Sequence, residues 1–155
     1  MRTSHMTTPF RKLFRCNSGQ SLVETALAVS LCGFLMVGAA EFGRLAYAGI
    51  EISDSARAGV EYGSQSRATA LDVTNMKVAA SASAPNISNL TLSASSFCKC
   101  ADGTSSTCVT TDCLGSRIIT YVQVNTSGSI NPLIYLPGLP KTYSLSGKAV
   151  MRVVD

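Results

Sequence analysis

The sequence predicts an α+β chain: a long N-terminal helix that begins inside a membrane, a shorter helix after it, and a small antiparallel sheet towards the C-terminus. Three observations carry this. Residues 25–40 contain no charged side chain, and apolar or small residues recur at helical spacing well beyond that run. After Pro85 the period changes, to short β-branched and aromatic stretches separated by Gly, Asn, Pro and Ser. At 155 residues there is room for one compact domain and an anchor. A mean hydropathy of +0.24 is too apolar for a disordered chain.

Charge divides the chain at its start. Of the 13 Lys and Arg, four (Arg2, Arg11, Lys12 and Arg15) precede Gly19, and all 9 acids come after it. Losing residues 1–19 would remove those four cations and no acid, which takes the formal charge from +4 to zero. The basicity therefore belongs to a leader, and no nucleic acid partner is expected. The only histidine, His5, lies in the same leader. Residues 20–155 have no imidazole for general base catalysis or metal binding, so no catalytic residue, metal site or cofactor is expected.

The uncharged run is closed by Glu24 and Glu41. With its flanks, residues 22–42, it makes about 30 Å of helix, enough to cross a bilayer if Glu24 is tolerated near one face. Arg11, Lys12 and Arg15 flank it on the N-terminal side with no acid, whereas the other flank mixes Arg44 and Arg57 with Glu41, Glu51 and Asp54. The positive-inside rule then leaves the N-terminus in the cytoplasm and the rest outside. The expected organisation is a basic leader at 1–19, the membrane-spanning part of the helix at 20–42, and an extracytoplasmic α+β domain at 43–155.

The helix is expected to continue to about residue 65. Phe42, Leu45, Gly49, Ile52, Ala56, Gly59 and Gly63 stand at alternating spacings of three and four, a narrow seam with small residues that let another element approach closely. The seam could cover the protein's own sheet or a second protein. Glu41 and Arg44, three apart, read as an ion pair at the outer membrane interface. Leu71, Val73, Met76, Val78 and Ala79 suggest a second helix that ends before Pro85. Strands are expected within 90–94, 118–124 and 143–154, the last two separated by the proline-containing loop 131–140.

The cysteines divide by compartment. Cys16 falls in the leader and Cys32 in the span, where a thiol behaves as a small apolar group. Cys98, Cys100, Cys108 and Cys113 lie together in one external loop. Two disulfides are expected there, with Cys98 and Cys100 each joined to Cys108 or Cys113, because a direct 98–100 link would close a very small ring. A four-thiolate zinc site is the competing reading, but paired C-x-x-C knuckles are missing.

Between leader and span stands Gly19-Gln20-Ser21-Leu22-Val23-Glu24. A carboxylate entering a membrane costs several kcal/mol unless something offsets it. A cut after Gly19 would create an amine at residue 20 able to do so, and the helix dipole would add to it. The leader, the glycine, the glutamate five residues on and the unbroken helix resemble a class III, prepilin-type processing site. Val37-Gly38-Ala39-Ala40-Glu41-Phe42-Gly43-Arg44 and Ala56-Arg57-Ala58-Gly59-Val60-Glu61-Tyr62-Gly63 resemble the helix of the TadE-like family, and the stretches 122–124 and 148–153 are similar to its C-terminal strands.

The resemblance implies a pilin-like fold and a minor pseudopilin that helps assemble a tight-adherence (type IVb) pilus in bacterial adhesion, without catalytic activity. It implies a prepilin peptidase acting at Gly19, Gln20 and Glu24, retention in the inner membrane by a single pass, and contacts with other pilus subunits through the N-terminal helix. A conventional signal peptide cut near Glu41, with Gly38-Ala39-Ala40 as the small-residue region, would instead give a secreted binding protein. Glu24 spoils the basic region that this requires, and the helical pattern runs through the cut. An exported enzyme on a stalk would lack both histidine and a recognisable nucleophile motif.

Overall fold

The structure is a computed structural model and describes residues 17–135, 138 and 140–154. Arg2, Arg11, Lys12, Arg15, His5 and Cys16 of the leader lie outside the described residues, as do 136, 137 and 139 of the proline-containing loop. The expected α+β class is the one observed. Helix α1 (Asn17–Ser64) is followed by two short helices, α2 (Arg67–Leu71) and α3 (Val73–Ala82), then by strands β1 (Thr91–Cys100), β2 (Ser105–Ser106), β3 (Ile118–Ile130) and β4 (Tyr143–Arg152).

Packing divides the chain into two units, with the boundary after Ala40. In the first, the described residues are helical and their large apolar side chains face outwards. Leu27 is 67% exposed, Phe34 72% and Met36 73%, values that water would not favour. Two hydroxyl groups in this run are satisfied within the helix: Thr25 donates to the Ser21 carbonyl at 2.8 Å and Ser30 to the Ala26 carbonyl at 2.7 Å. The helix has a window long and apolar enough to cross a membrane.

In the second unit, one face of α1 is covered. Its sheet has the order β2-β1-β3-β4 with every neighbour antiparallel. Val60, Met76, Ala80, Val122, Val124 and Val153 form one buried cluster joining α1, α3 and the sheet. Ala48, Ile52, Ala84 and Ile87 form a second cluster nearer the start of the unit. Two buried hydroxyls fix α1 between its neighbours. Ser55 Oγ donates to the Ala80 carbonyl at the end of α3, and Thr126 Oγ1 donates from β3 to the Ile52 carbonyl, both at 2.8 Å.

The single second helix of the sequence reading is two helices. Ser66 caps α2 through a reciprocal pair with Thr69, and Asp72 then ends α2 and caps α3 by accepting from the Asn75 backbone N–H at 3.0 Å. Tyr62 of α1 donates to the same Asp72 at 3.2 Å. Burial, with the adjacent Asp72 carboxylate next, pushes the Tyr62 phenol above its ordinary value.

β3 is also longer than its β-branched stretch. It continues through Ser127-Gly128-Ser129 because the core reaches that far: a Cβ on Gly128 would stand 2.6 Å from Ile87 Cγ2 and 3.2 Å from Ile52 Cδ1. Opposite Thr126, Gly147 of β4 lets α1 approach, since a Cβ there would meet both the Ile52 carbonyl oxygen and Thr126 Oγ1 at 2.8 Å.

Candidate functional site

The residues of the expected processing site stand on the first turns of α1. Gly19, Gln20 and Glu24 are exposed, and a Cβ added at Gly19 would meet nothing within 4 Å. Packing does not call for a glycine there. A helix interior disfavours one by about 1 kcal/mol relative to alanine.

The seam residues part company along the helix. Ile52, Ala56, Gly59 and Gly63 are buried against the chain's own elements, Leu45 and Gly49 are half-buried, and Phe42 is 75% exposed. A Cβ at Gly59 would lie 3.0 Å from Val124 Cγ2 and 3.1 Å from the Met76 carbonyl oxygen, and one at Gly63 would lie 2.5 Å from Met76 Sδ. Over residues 52–63 the seam therefore covers the protein's own sheet and α3.

At the start of the second unit, Glu41 makes the ion pair expected with Arg44, at 3.7 Å. It also does something that its sequence neighbours do not suggest. Both carboxylate oxygens accept from the backbone N–H of Leu133, at 3.1 and 3.2 Å, which ties the β3–β4 loop to α1. Ten residues further along α1, the buried Glu51 accepts from the Asn86 backbone N–H at 2.9 Å and from Asn86 Nδ2 at 3.1 Å, holding the segment that comes after α3. Neither link is visible in a local pattern, because the partners are 92 and 35 residues apart.

Cys98, Cys100, Cys108 and Cys113 form two disulfides, Cys98–Cys108 and Cys100–Cys113. Cys98 and Cys100 do not lie in a loop as the sequence reading has them: β1 runs past residue 94 to Cys100, so the two sit two apart on a strand and share a face. The short β2 turns back antiparallel, pairing Ser106 with Cys98, and brings Cys108 alongside. Asp112 closes the loop from within by accepting from Thr107 Oγ1 at 2.6 Å, the Thr107 backbone N–H at 2.7 Å and Ser106 Oγ at 3.2 Å. The Thr107 hydroxyl first, then its N–H, hold the Asp112 carboxyl below its ordinary value. Phe97 and Tyr121 stack across β1 and β3 beside this loop, with centroids 5.5 Å apart.

Among the described residues no three His, Cys, Asp or Glu side chains gather to hold a metal ion. Cys32 is a free, exposed thiol on the apolar part of α1.

Residues 19–61 match the family model described as TadE-like protein, the family that the helix resembles. No curated protein and no solved structure gives a match. A TadE-like segment on an apolar N-terminal helix fits a protein associated with a tight-adherence pilus system, and the apolar window of that helix fits a single-pass membrane protein.

Proposed function

We propose that the TadE-like helix makes this chain a minor pseudopilin, a non-catalytic assembly protein of a tight-adherence (type IVb) pilus. A prepilin peptidase cuts between Gly19 and Gln20, and the rest of α1 stays in the inner membrane with its start at the cytoplasmic face. The observation that carries the reading is the family match, which opens at Gly19 and runs on through the apolar stretch. The two disulfides agree with an oxidising compartment for the domain that bears them. The open space around Gly19 agrees with a residue kept for a peptidase rather than for packing.

Glu24 is then the residue that organises assembly. An unpaired carboxylate near the membrane face costs on the order of 1–3 kcal/mol. Pairing it with the amine that cleavage creates at residue 20, its own or a neighbour's, removes that cost and fixes the depth of one helix against the next. The test uses two variants. Gly19→Val should leave the chain full length in the membrane, and shortening by 19 residues in that variant overturns the processing site. Glu24→Gln should be processed and inserted normally while co-purification with pilus subunits and pilus formation fall. Normal pili with Glu24→Gln would reduce Glu24 to a helix-end carboxylate.

A further inference from the structure

The β3–β4 loop exposes large apolar groups beside the point where the helix would leave the membrane. Leu133 is 64% exposed, Ile134 47% and Tyr135 64%, three in succession. They are held by the Leu133 N–H on the Glu41 carboxylate. Among the described residues nothing in the domain's own packing explains such a cluster at that position, since the half-buried Ile130 and Leu145 border the buried Ala48 and Ile52.

Position along α1 supplies the explanation. From Glu24 to Glu41 a helix rises about 26 Å, close to the hydrocarbon thickness of a bilayer of about 30 Å. Glu41 therefore falls near the outer boundary, in the headgroup region that tolerates a carboxylate with its own partners. A loop tied to Glu41 sits at the same depth. Leucine and isoleucine side chains reach several Å from their backbone, and tyrosine is enriched at that interface because its ring is apolar and its hydroxyl wet. Phe42, 75% exposed on the helix beside Glu41, adds an apolar group at that level.

We propose that Leu133, Ile134 and Tyr135 insert into the outer interfacial layer of the same membrane that α1 spans, so that the domain rests on the bilayer at two points. This rests on the membrane-spanning reading of α1. The second point would restrain the tilt of the domain against the membrane, which a single helix leaves free. Glu41 is the positioning residue, because it sets the loop's depth without touching lipid hydrocarbon.

The chain contains no tryptophan, so one added residue is a unique fluorophore. The full chain is reconstituted in phosphatidylcholine vesicles whose acyl chains are brominated at shallow or deep positions, as Tyr135→Trp, Phe34→Trp and Leu114→Trp variants. Leu114 is the control for apolar exposure alone, being 95% exposed in the disulfide loop at the opposite end of β3. Tyr135→Trp should emit blue-shifted and be quenched most by the shallow bromines, Phe34→Trp most by the deep ones, and Leu114→Trp by neither. Adding Glu41→Ala to Tyr135→Trp should weaken the shallow quenching.

Deep quenching of Phe34→Trp with none of Tyr135→Trp overturns the loop's insertion while leaving the span intact. A blue shift at Tyr135→Trp without quenching means that protein, such as a second copy, covers the loop, and also overturns it. Absence of quenching at Phe34→Trp removes the span and the insertion together.

Discussion

Helix α1 is one element in two settings, and the settings choose opposite side chains. Before Ala40 its outward residues are large and apolar, such as Leu27, Phe34 and Met36, and more than three fifths of each is exposed. After Glu41 the covered face carries Ile52 and Val60 as its large core groups and otherwise small residues, Ala48, Ser55, Ala56, Gly59 and Gly63, where β3, β4 and α3 come close to the helix backbone. Large exposed groups suit a lipid environment, where bulk meets fluid chains. Small buried groups suit a preformed protein surface, where each extra methyl group must displace something.

The contrast breaks most visibly with one substitution in each half. Phe34→Arg should cost about 3 kcal/mol of membrane insertion, read from the inserted fraction in a translocation assay, and should leave the unfolding of the second unit unchanged. Gly147→Val should do the reverse. Its Cβ would meet the Ile52 carbonyl, which is backbone and cannot swing away, so the domain should lose about 3 kcal/mol in denaturant unfolding while insertion is unaffected. An equal effect of either variant on both assays would contradict the division.

A smaller effect is expected in the segment that carries the disulfides. Replacing Cys98 and Cys108 together by serine removes a link that closes a span of 10 residues and should cost about 2–3 kcal/mol. Cys100–Cys113 encloses an overlapping span, so the two losses should not add fully. Thermal unfolding of the single and double pair variants measures this.

The smallest effect comes from Asp112. Its carboxyl is held low in the folded loop, so the folded state releases that proton more readily than the unfolded one does. The stabilisation is complete above the ordinary carboxylate range and is lost as the pH falls through the lowered value. The protection of the Thr107 amide against hydrogen exchange, taken relative to its intrinsic rate at each pH, should therefore fall on acidification in the native protein, and Asp112→Asn should lower it at neutral pH and flatten the dependence.

How far the sequence revealed these features depends on whether the cause was local. The long helix, the change of period after Pro85 and the exclusion of a Cys98–Cys100 link came from spacing alone. The break at Asp72 was hidden because Asp between apolar residues reads as an ordinary exposed helix position until its cap is seen. The end of β3 was hidden because Ser127-Gly128-Ser129 has turn composition, while the reason for the strand is Ile52 and Ile87 closing on Gly128. The seam was readable but not what covers it, since small residues at three-four spacing serve a neighbouring sheet and a partner helix alike. Glu41 was read through Arg44, three residues away, and its second partner Leu133 required the fold.

The central claim is that α1 from Gln20 onwards is retained and serves as an anchor. N-terminal sequencing of the mature protein, taken from membrane and released fractions of the native host, tests it most directly. The account predicts one mature form in the membrane fraction, beginning at Gln20. A released form beginning at Glu41 would mean that the apolar half of α1 is a discarded signal sequence, and would contradict it.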